Sequence, residues 1–506
     1  MKKLTMLLII AVFAMPYGNA QEIADALRFS QDEVQGSARF RALSGAFGAL
    51  GGDMSAVSIN PAGSAVFTRS HASFSLSSLN VDNNTTFFNN SGSSSDSKID
   101  LHQGGAAFVF ANRNESSNWK KLVLSIAYDK TANYRNQWFA RGTNINSIDN
   151  YFLAYAQGQR LDEISAFPDE SVEDAYADIG SFLGFGNQQA FLGFESFILE
   201  PVEDTDDNTA YFSNIAEGTF NQEHDYISRG YNGKFAFNAS GQYGDNLYLG
   251  LNLNAHFINY ERFTRFTESN TNVGSLVTDV AFENNLVTTG NGFSFQLGAI
   301  LKVTNELRAG LTYNSPTWFT IYEETSQFLA TSATDDLGTF STVIDPAIVN
   351  IFPEYRLQSP GKITGSLAYV FGEQGLLSFD YSRRNFRNTK FRPTSDAFFA
   401  SQNEIMNDLF TTANTFRFGG EYKYQQFSFR GGYRLEESPY KDDSVYGNLN
   451  GYSLGLGYNF GNTRLDLTYD RSERTVDNQL FAVGLTDAAT LDTTRSNITL
   501  TLGFSL

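Results

Sequence analysis

Hydrophobic and polar residues alternate one by one along most of this chain. From 247 to 257, Leu247, Leu249, Leu251, Leu253, Ala255 and Phe257 fall on one side, with Tyr248, Gly250, Asn252, Asn254 and His256 on the other. A period of two belongs to a β-strand whose faces meet different surroundings. The same pattern runs through Leu122/Leu124/Ile126/Tyr128, Phe293/Phe295/Leu297/Ala299/Leu301, Leu307/Ala309/Leu311/Tyr313, Phe416/Phe418, Phe427/Phe429, Tyr452/Leu454/Leu456/Tyr458 and Leu465/Leu467/Tyr469. Charged residues interleave with these, including Arg308, Arg417, Glu421, Arg430, Asp466 and Asp470. A greasy face backed by a charged one predicts strands set between lipid and a wet lumen.

Connections between the strands alternate in length. Short turns are expected at 112–118, 243–246, 303–306, 372–375, 424–426 and 460–463. Long connections are expected at about 80–101, 144–228, 267–291, 324–358, 392–415, 436–448 and 474–495. An even set of about 14 antiparallel strands follows, with both chain ends on the short-turn side, which in outer-membrane barrels is the periplasm. A soluble sandwich or propeller would share the alternation but not this asymmetry of loops. The last strand, with Ile498, Leu500, Leu502 and Phe504 on one face, ends at Leu506 and must pair with the first to close the wall.

Composition agrees with that reading. Mean hydropathy is −0.28, yet Phe and Tyr number 46 and 25, Gly 43, Pro only 10, and charged residues make up 18%. Lys2 and Lys3 precede the apolar run Leu7–Met15, and Gly18-Asn19-Ala20 suits a signal peptidase, so residues 1–20 are expected to be a cleaved export signal. The formal charge of −19 becomes −21 without those two lysines, which argues against nucleic acid as a partner. The chain has no Cys, so neither disulfides nor thiolate metal sites arise. Its four histidines, His71, His102, His224 and His256, are scattered. No catalytic constellation and no cofactor motif is apparent, and the chain is not expected to be an enzyme.

Two stretches stand outside the alternation. Between Ile145 and Asp225 lie 17 acids against one base, Arg160, together with dense aromatics. Ile148, Tyr151, Phe152 and Tyr155 form one helical stripe; Val172, Ala175, Tyr176 and Ile179 form another, with Ser171 placed as its cap. Such a loop reads both as a folded cap and as an apolar ligand groove, for which Tyr151, Phe152, Tyr155, Tyr176, Phe182 and Phe185 are the candidate lining residues. Glu203-Asp204-Thr205-Asp206-Asp207-Asn208 carries clustered oxygen ligands suited to Ca²⁺ but lacks the Gly and distal Glu of an EF-hand. A solvated acidic stretch is the favoured reading, and no metal site is assigned.

The second stretch is Ser37–Gly63, rich in Gly and Ala and closed by Asn60-Pro61-Ala62-Gly63. Small residues let backbone pack closely against surrounding walls, and Pro61 fixes one φ. This stretch, with Asp53 ahead of Asn-Pro-Ala-Gly and the first strand, resembles the hatch of the FadL/TodX family of outer-membrane transporters. Ala309-Gly310-Leu311-Thr312-Tyr313-Asn314-Ser315-Pro316 is similar to the family's Gly-x-x-Tyr-x-Ser-Pro segment, and Arg430-Gly431-Gly432-Tyr433 leading to Ser438-Pro439 supports the same resemblance. The resemblance implies an all-β antiparallel barrel of 14 strands (residues 70–506) plugged by an N-terminal hatch (21–69), located in the outer membrane of a Gram-negative cell. It implies carriage of long-chain fatty acids or other hydrophobic compounds, captured at the outer loops, gated by the hatch and released sideways through a gap beside a kinked strand. Partners would be hydrophobic small molecules or lipids, outer-membrane lipid and lipopolysaccharide, and the outer-membrane assembly machinery, the protein itself acting as a monomer. Asp53, Asn60, Pro61, Ala62 and Gly63 become candidate gating residues, with Asn60 and Pro61 shaping the hatch and Asp53 pairing with a lumen arginine. No Gly or Pro marks a kink within the expected third strand, 121–132. Some members of the family serve instead as scaffolds for protein secretion and surface attachment (PorV-like), which is the alternative function.

Overall fold

A computed structural model describes residues 23–114, 116–335 and 338–506; the expected leader, 1–20, lies outside the described residues. Fourteen antiparallel strands close one barrel. They are β1 (His71–Phe87), β2 (Asn90–Ala111), β3 (Trp119–Asn133, resuming as Asn136–Asn144), β4 (Phe220–Tyr243), β5 (Leu247–Ser269), β6 (Val277–Lys302) and β7 (Leu307–Asn314, resuming as Trp318–Asp335). There follow β8 (Tyr355–Gln358 and Lys362–Phe371), β9 (Gly375–Asn385), β10 (Thr412–Tyr424), β11 (Phe427–Glu436), β12 (Leu449–Asn459), β13 (Thr463–Gln479) and β14 (Ala488–Ser505). β14 pairs with β1 from His71↔Ser505 to Thr86↔Thr490, so the terminal strand seals the wall as the alternation requires.

The lipid-facing surface follows from the period-two code. On β5, Leu249, Leu251 and Leu253 are exposed, while Tyr248, Asn252 and Asn254 between them are buried. Exposed aromatics gather at the short-turn end, among them Trp119, Tyr243, Phe371, Tyr424 and Phe460, and a second tier includes Tyr313, Trp318, Tyr433 and Tyr452. Rings placed at two levels with aliphatics between them are the girdles of a membrane-crossing barrel.

Several expected long loops are in fact strand. Residues 80–101 form a hairpin in which Phe87 pairs with Asn90, and β5 and β6 run on to Ser269 and back from Val277. Above the lipid both faces of a strand meet water or cap, so the sequence loses its hydrophobic alternation while the backbone ladder continues. The large loop is correspondingly shorter than expected, because strand pairing of Asn144 with Phe220 bounds it to 145–219.

That loop folds as a cap. Helices Asp149–Ala156 and Val172–Phe182 coincide with the two predicted stripes, and the Ser171 hydroxyl accepts the Asp174 N–H at 3.1 Å. A third helix, Phe185–Glu195, is not marked in the sequence, because its apolar residues do not form one stripe. The cap helices share a core with the upper wall, including Phe152, Tyr176, Phe191, Phe266 and Phe282.

Candidate functional site

The hatch fills the lower lumen as a chain of short turns. Helix Ile23–Ser30 leads through Gln31–Gly36 to the one-turn helix Ala38–Ala42, and 3₁₀ turns follow at Ser55–Ser58 and Pro61–Val66. Asn60 caps the last of these turns. Its Oδ1 accepts the Ala62 N–H at 3.1 Å with Pro61 at the first position of the turn, and its Nδ2 donates to Gly48 O (2.7 Å) and to Ala299 O on β6 (3.0 Å). Gly63 O accepts the Gly52 N–H at 3.0 Å, which draws the two Gly-rich segments together. Ala62 is fully buried among Ala65, Tyr248 and Ile300.

Close approach to the wall explains the glycines that face the lumen. A Cβ at Gly298 would lie 2.0 Å from Asn60 Oδ1, at Gly250 2.3 Å from the Pro61 carbonyl carbon, and at Gly310 2.4 Å from Gly48 O. Across the lumen, a Cβ at Gly419 or Gly432 would lie 2.6 Å from Leu43, and at Gly455 2.5 Å from Ala42 Cβ. Six strands thus present bare backbone to the hatch, which is seated on a belt of glycine.

Ion pairs complete the seating, with a polarity opposite to expectation. Asp53 does not pair with a lumen arginine: its carboxylate accepts from Ser37 Oγ (2.7 and 2.9 Å) and from the Ser55 N–H (2.9 Å), within the hatch itself. At Arg39 and Arg41 the hatch supplies the arginine and the wall the acid. Arg41, almost fully buried, donates twice to Asp470 (2.7 and 2.9 Å), and Arg39 donates to Glu421 (2.9 and 3.2 Å), which also receives Arg430 at 2.6 Å. Burial opposes the charge on Arg39, but Glu421 outweighs it and holds the guanidinium firmly protonated. Asp380 accepts the N–H groups of Phe47 (3.0 Å) and Gly48 (2.9 Å).

Between the hatch and the wall lies a chamber of about 90 Å³. Its lining includes Lys234, Lys362, Arg384 and Arg417 from the wall and Asp32 from the hatch. Lys362 (3.2 Å) and Arg384 (2.5 Å) both bind Asp32. Among the described residues Lys234 and Arg417 have no hydrogen bond or ion pair of their own, although both are buried, and Arg417 Nε is unpartnered. The breaks in β7 and β8 shape this space: Ser315 and Thr317 flank Pro316, Ser359 precedes Pro360, and Thr317 and Ser359 bond to each other (2.9 and 3.0 Å). Proline cannot donate to the ladder, so both strands part here and expose polar groups inward. Beside the chamber Leu27 and Phe29 of the first helix pack with Tyr134, Ile258, Tyr260, Phe319 and Ile321, an apolar column.

One seam in the wall lacks a backbone ladder. β2 pairs with β3 only from Ala111↔Lys121 to Gln103↔Asp129. Beyond that point β3 bends at Tyr134–Arg135 and its second segment pairs with β4 alone. The glycine that accommodates the bend lies on the neighbouring strand: Gly230 has φ +107 and receives the Tyr134 N–H at 3.0 Å. Side chains take over the orphaned backbone groups. Asn83 (2.8 Å) and Ser94 (2.7 Å) donate to Gln137 O, and Thr85 donates to Phe139 O at 2.6 Å. Two ion pairs cross the seam, Lys130 with Asp100 and Arg135 with Asp96 (2.7 Å). From the hatch, Glu33 donates its N–H to Thr131 O (2.7 Å) and accepts the Asn133 N–H at 3.1 Å. Ile99 and Leu101 are exposed beside the gap.

The six cap residues expected to line a groove do not come together as one. Phe152 and Tyr176 are fully buried in the cap core, Tyr151 is nearly so, Tyr155 and Phe185 are half-buried, and Phe182 points away at 77% exposure. None lines the chamber or the open trough of about 780 Å³ at the strand ends near Arg141, Glu223 and Asp279. Aromatic density in this loop served cap packing. Among the described residues no group of three or more His, Asp or Glu could hold a metal ion, the acidic stretch at 203–208 included. Lys234, Lys362 and Arg384 were missed. Their only sequence signal is a cation on the non-lipid face of a strand, shared with many wall residues.

Fold and lumen together define a plugged transmembrane β-barrel. No family model matches the sequence, and no curated protein matches it. Among solved structures, a FadL homologue of Pseudomonas aeruginosa aligns over 94% of this chain and 99% of its own, at 12% identity and a TM-score of 0.54. The P. putida toluene transporter TodX aligns over the same shares at 13% identity and a TM-score of 0.53. The fold of this chain is the FadL/TodX fold.

Proposed function

We propose that this protein is an outer-membrane channel for hydrophobic compounds, and that its substrates are long-chain fatty acids or other amphiphiles with an acidic head. The observation that carries the reading is the lumen chamber, in which the buried side chains of Lys234 and Arg417 make no direct hydrogen bond or ion pair among the described residues and stand beside an apolar column. An alkyl chain fits the column chemically and an anion satisfies the cations, whereas a neutral hydrocarbon would leave them unpaired at a cost of about 1–3 kcal/mol each. Capture occurs at the outer loops. Release is sideways, through the seam between β2 and β3, because the glycine belt and the buried ion pairs oppose movement of the hatch as a whole. No covalent step and no cofactor is required. The export signal, the monomeric state, and contact with lipopolysaccharide and the assembly machinery belong to the same reading.

Purified protein in nanodiscs, titrated with laurate, dodecanol and toluene, tests it. Replacing Lys234 and Arg417 by Met should weaken laurate binding by about tenfold or more and leave dodecanol unchanged; equal effects on both ligands would refute an acid-binding chamber. The scaffold reading draws on one feature, the exposed Phe167, Phe182 and Ile351 on the extracellular surface (67%, 77% and 75%). Recovery of a stoichiometric protein partner that Phe182→Ser releases would favour it.

A further inference from the structure

Two adjacent hatch residues face different walls. Asp32 is held by Arg384 on β9 and Lys362 on β8, inside the chamber. Glu33, the next residue, is held at the seam by Thr131 O, the Asn133 N–H and Arg495 of β14 (2.6 Å). The segment that carries them, 31–36, is neither helix nor strand, but both of its ends are tied down. Arg384 binds Ser30 O, and Gln35 Oε1 meets Arg41 (2.6 Å) and His102 (2.7 Å). Residues 31–34 are therefore a short span pinned at two points, with Asp32 and Glu33 in the middle. The Asp32 side chain remains 43% exposed, so another anion can reach the cations that hold it.

We propose that Asp32 is a built-in stand-in for the acidic head of the ligand, and that exchange of one for the other frees Glu33 from the seam. The inference rests on the acid-binding reading of the chamber. A carboxylate or phosphate arriving at Lys234 and Arg417 also competes for Lys362 and Arg384. When Asp32 leaves, the short pinned span relaxes, and the rigid peptide plane that Asp32 shares with Glu33 carries the movement to Glu33. The Glu33 N–H then leaves Thr131, and only the side-chain bonds and the pairs Lys130–Asp100 and Arg135–Asp96 still span the gap. Ligand occupancy and opening of the wall are thereby linked, and the linkage is reciprocal: an opened seam favours ligand in the chamber. A neutral ligand cannot perform the exchange, since it has no charge with which to replace Asp32.

The absence of native cysteine permits a clean reporter. Asn133→Cys places a thiol at the seam, and its rate of reaction with a charged maleimide in nanodiscs reads opening. Calorimetry on the same sample reads binding, and heat-modifiable gel migration verifies a closed barrel in each variant. Laurate and dodecyl phosphate should each speed labelling by about tenfold, while dodecanol and toluene should not. If only one of the two acids acts, the exchange stands and the head group is identified. Asp32→Asn should label at the fast rate without ligand and lose its response to laurate. Laurate that binds without speeding the labelling, or an Asp32→Asn variant as slow as its parent, overturns the exchange and leaves transport intact. Laurate that fails to bind overturns the chamber reading and the exchange together.

Discussion

Gly298→Ala tests how firmly the hatch is seated. The added methyl would lie 2.0 Å from Asn60 Oδ1 and 2.7 Å from Pro61 Cδ. Ordinary contact requires the oxygen to retreat by roughly 1.5 Å. It cannot do so in place, because the same amide accepts from Ala62 N and donates to Gly48 O and Ala299 O. Overpacking costs about 1–3 kcal/mol, and loss of the amide's three buried hydrogen bonds adds about 1 kcal/mol for each. Undocking of the hatch should thus become easier by about 4–6 kcal/mol, while the β6 ladder, which makes none of its hydrogen bonds through the lost hydrogen, remains. In planar bilayers the variant should show ion-conducting openings absent from the parent, and the hatch should become cleavable by protease from the periplasmic face. Gly365→Ala is the control, since a Cβ there meets nothing within 4 Å. A Gly298→Ala protein that stays silent and protease-resistant would refute a wedged hatch.

Arg41→Ala strands the Asp470 carboxylate in a buried site and should destabilise hatch docking by about 3–5 kcal/mol, read by the same protease assay, whereas Asp53→Asn should loosen only the turn around Ser37 and Ser55. Burial alone would raise the Asp32 carboxyl, but Arg384, Lys362 and Lys234 outweigh burial and hold it well below the usual range, with His256 also lining the chamber. Its contribution is therefore present above the unfolded value of about 4 and is lost only as pH falls below it. Seam labelling of the ligand-free protein should accordingly show no Asp32-dependent change between about pH 5 and pH 8, which lies above the carboxyl's free titration range, and should rise in stronger acid; an Asp32-dependent rise near neutrality would refute the assignment. Phe152→Ala should cost the cap about 3–5 kcal/mol, seen as proteolysis within 145–219, while Phe182→Ser should alter neither cap stability nor laurate affinity; loss of affinity in the second would restore that side chain as a ligand contact.

The membrane-facing half of the barrel was legible because lipid and water impose a strict period of two on residues such as Leu249, Leu251 and Leu253. The upper half was not. Asn80–Leu101 is strand by backbone pairing, yet its Ser- and Asn-rich sequence carries no alternation for a reader to find. In the hatch, the turn at Asn60 and Pro61 was legible, since a cap and a fixed φ are local properties. The partner of Asp53 was not local, and the hatch arginines reversed the expected polarity. The kink was sought in β3, whereas the glycine that permits it is Gly230 on β4, a relation that only strand register exposes. Lys234, Lys362, Arg384 and Arg417 come from four strands, and nothing in the linear order announces that they meet.

The glycine belt also bears on how the molecule is built. Bare backbone on β5, β6, β7, β10, β11 and β12 grips the hatch from opposite sides, and the hatch precedes β1 in the chain. Threading so closely fitted a body into a finished cylinder would require the wall to spread or the hatch to unfold as it enters. The order of assembly is then constrained: the early segment must wait, compact, while the sheet curls around it, and the pairing of β14 with β1 comes last. A wall that closes early would leave its own stopper outside, so the timing of that final joint decides whether the cell receives a sealed vessel or a leak.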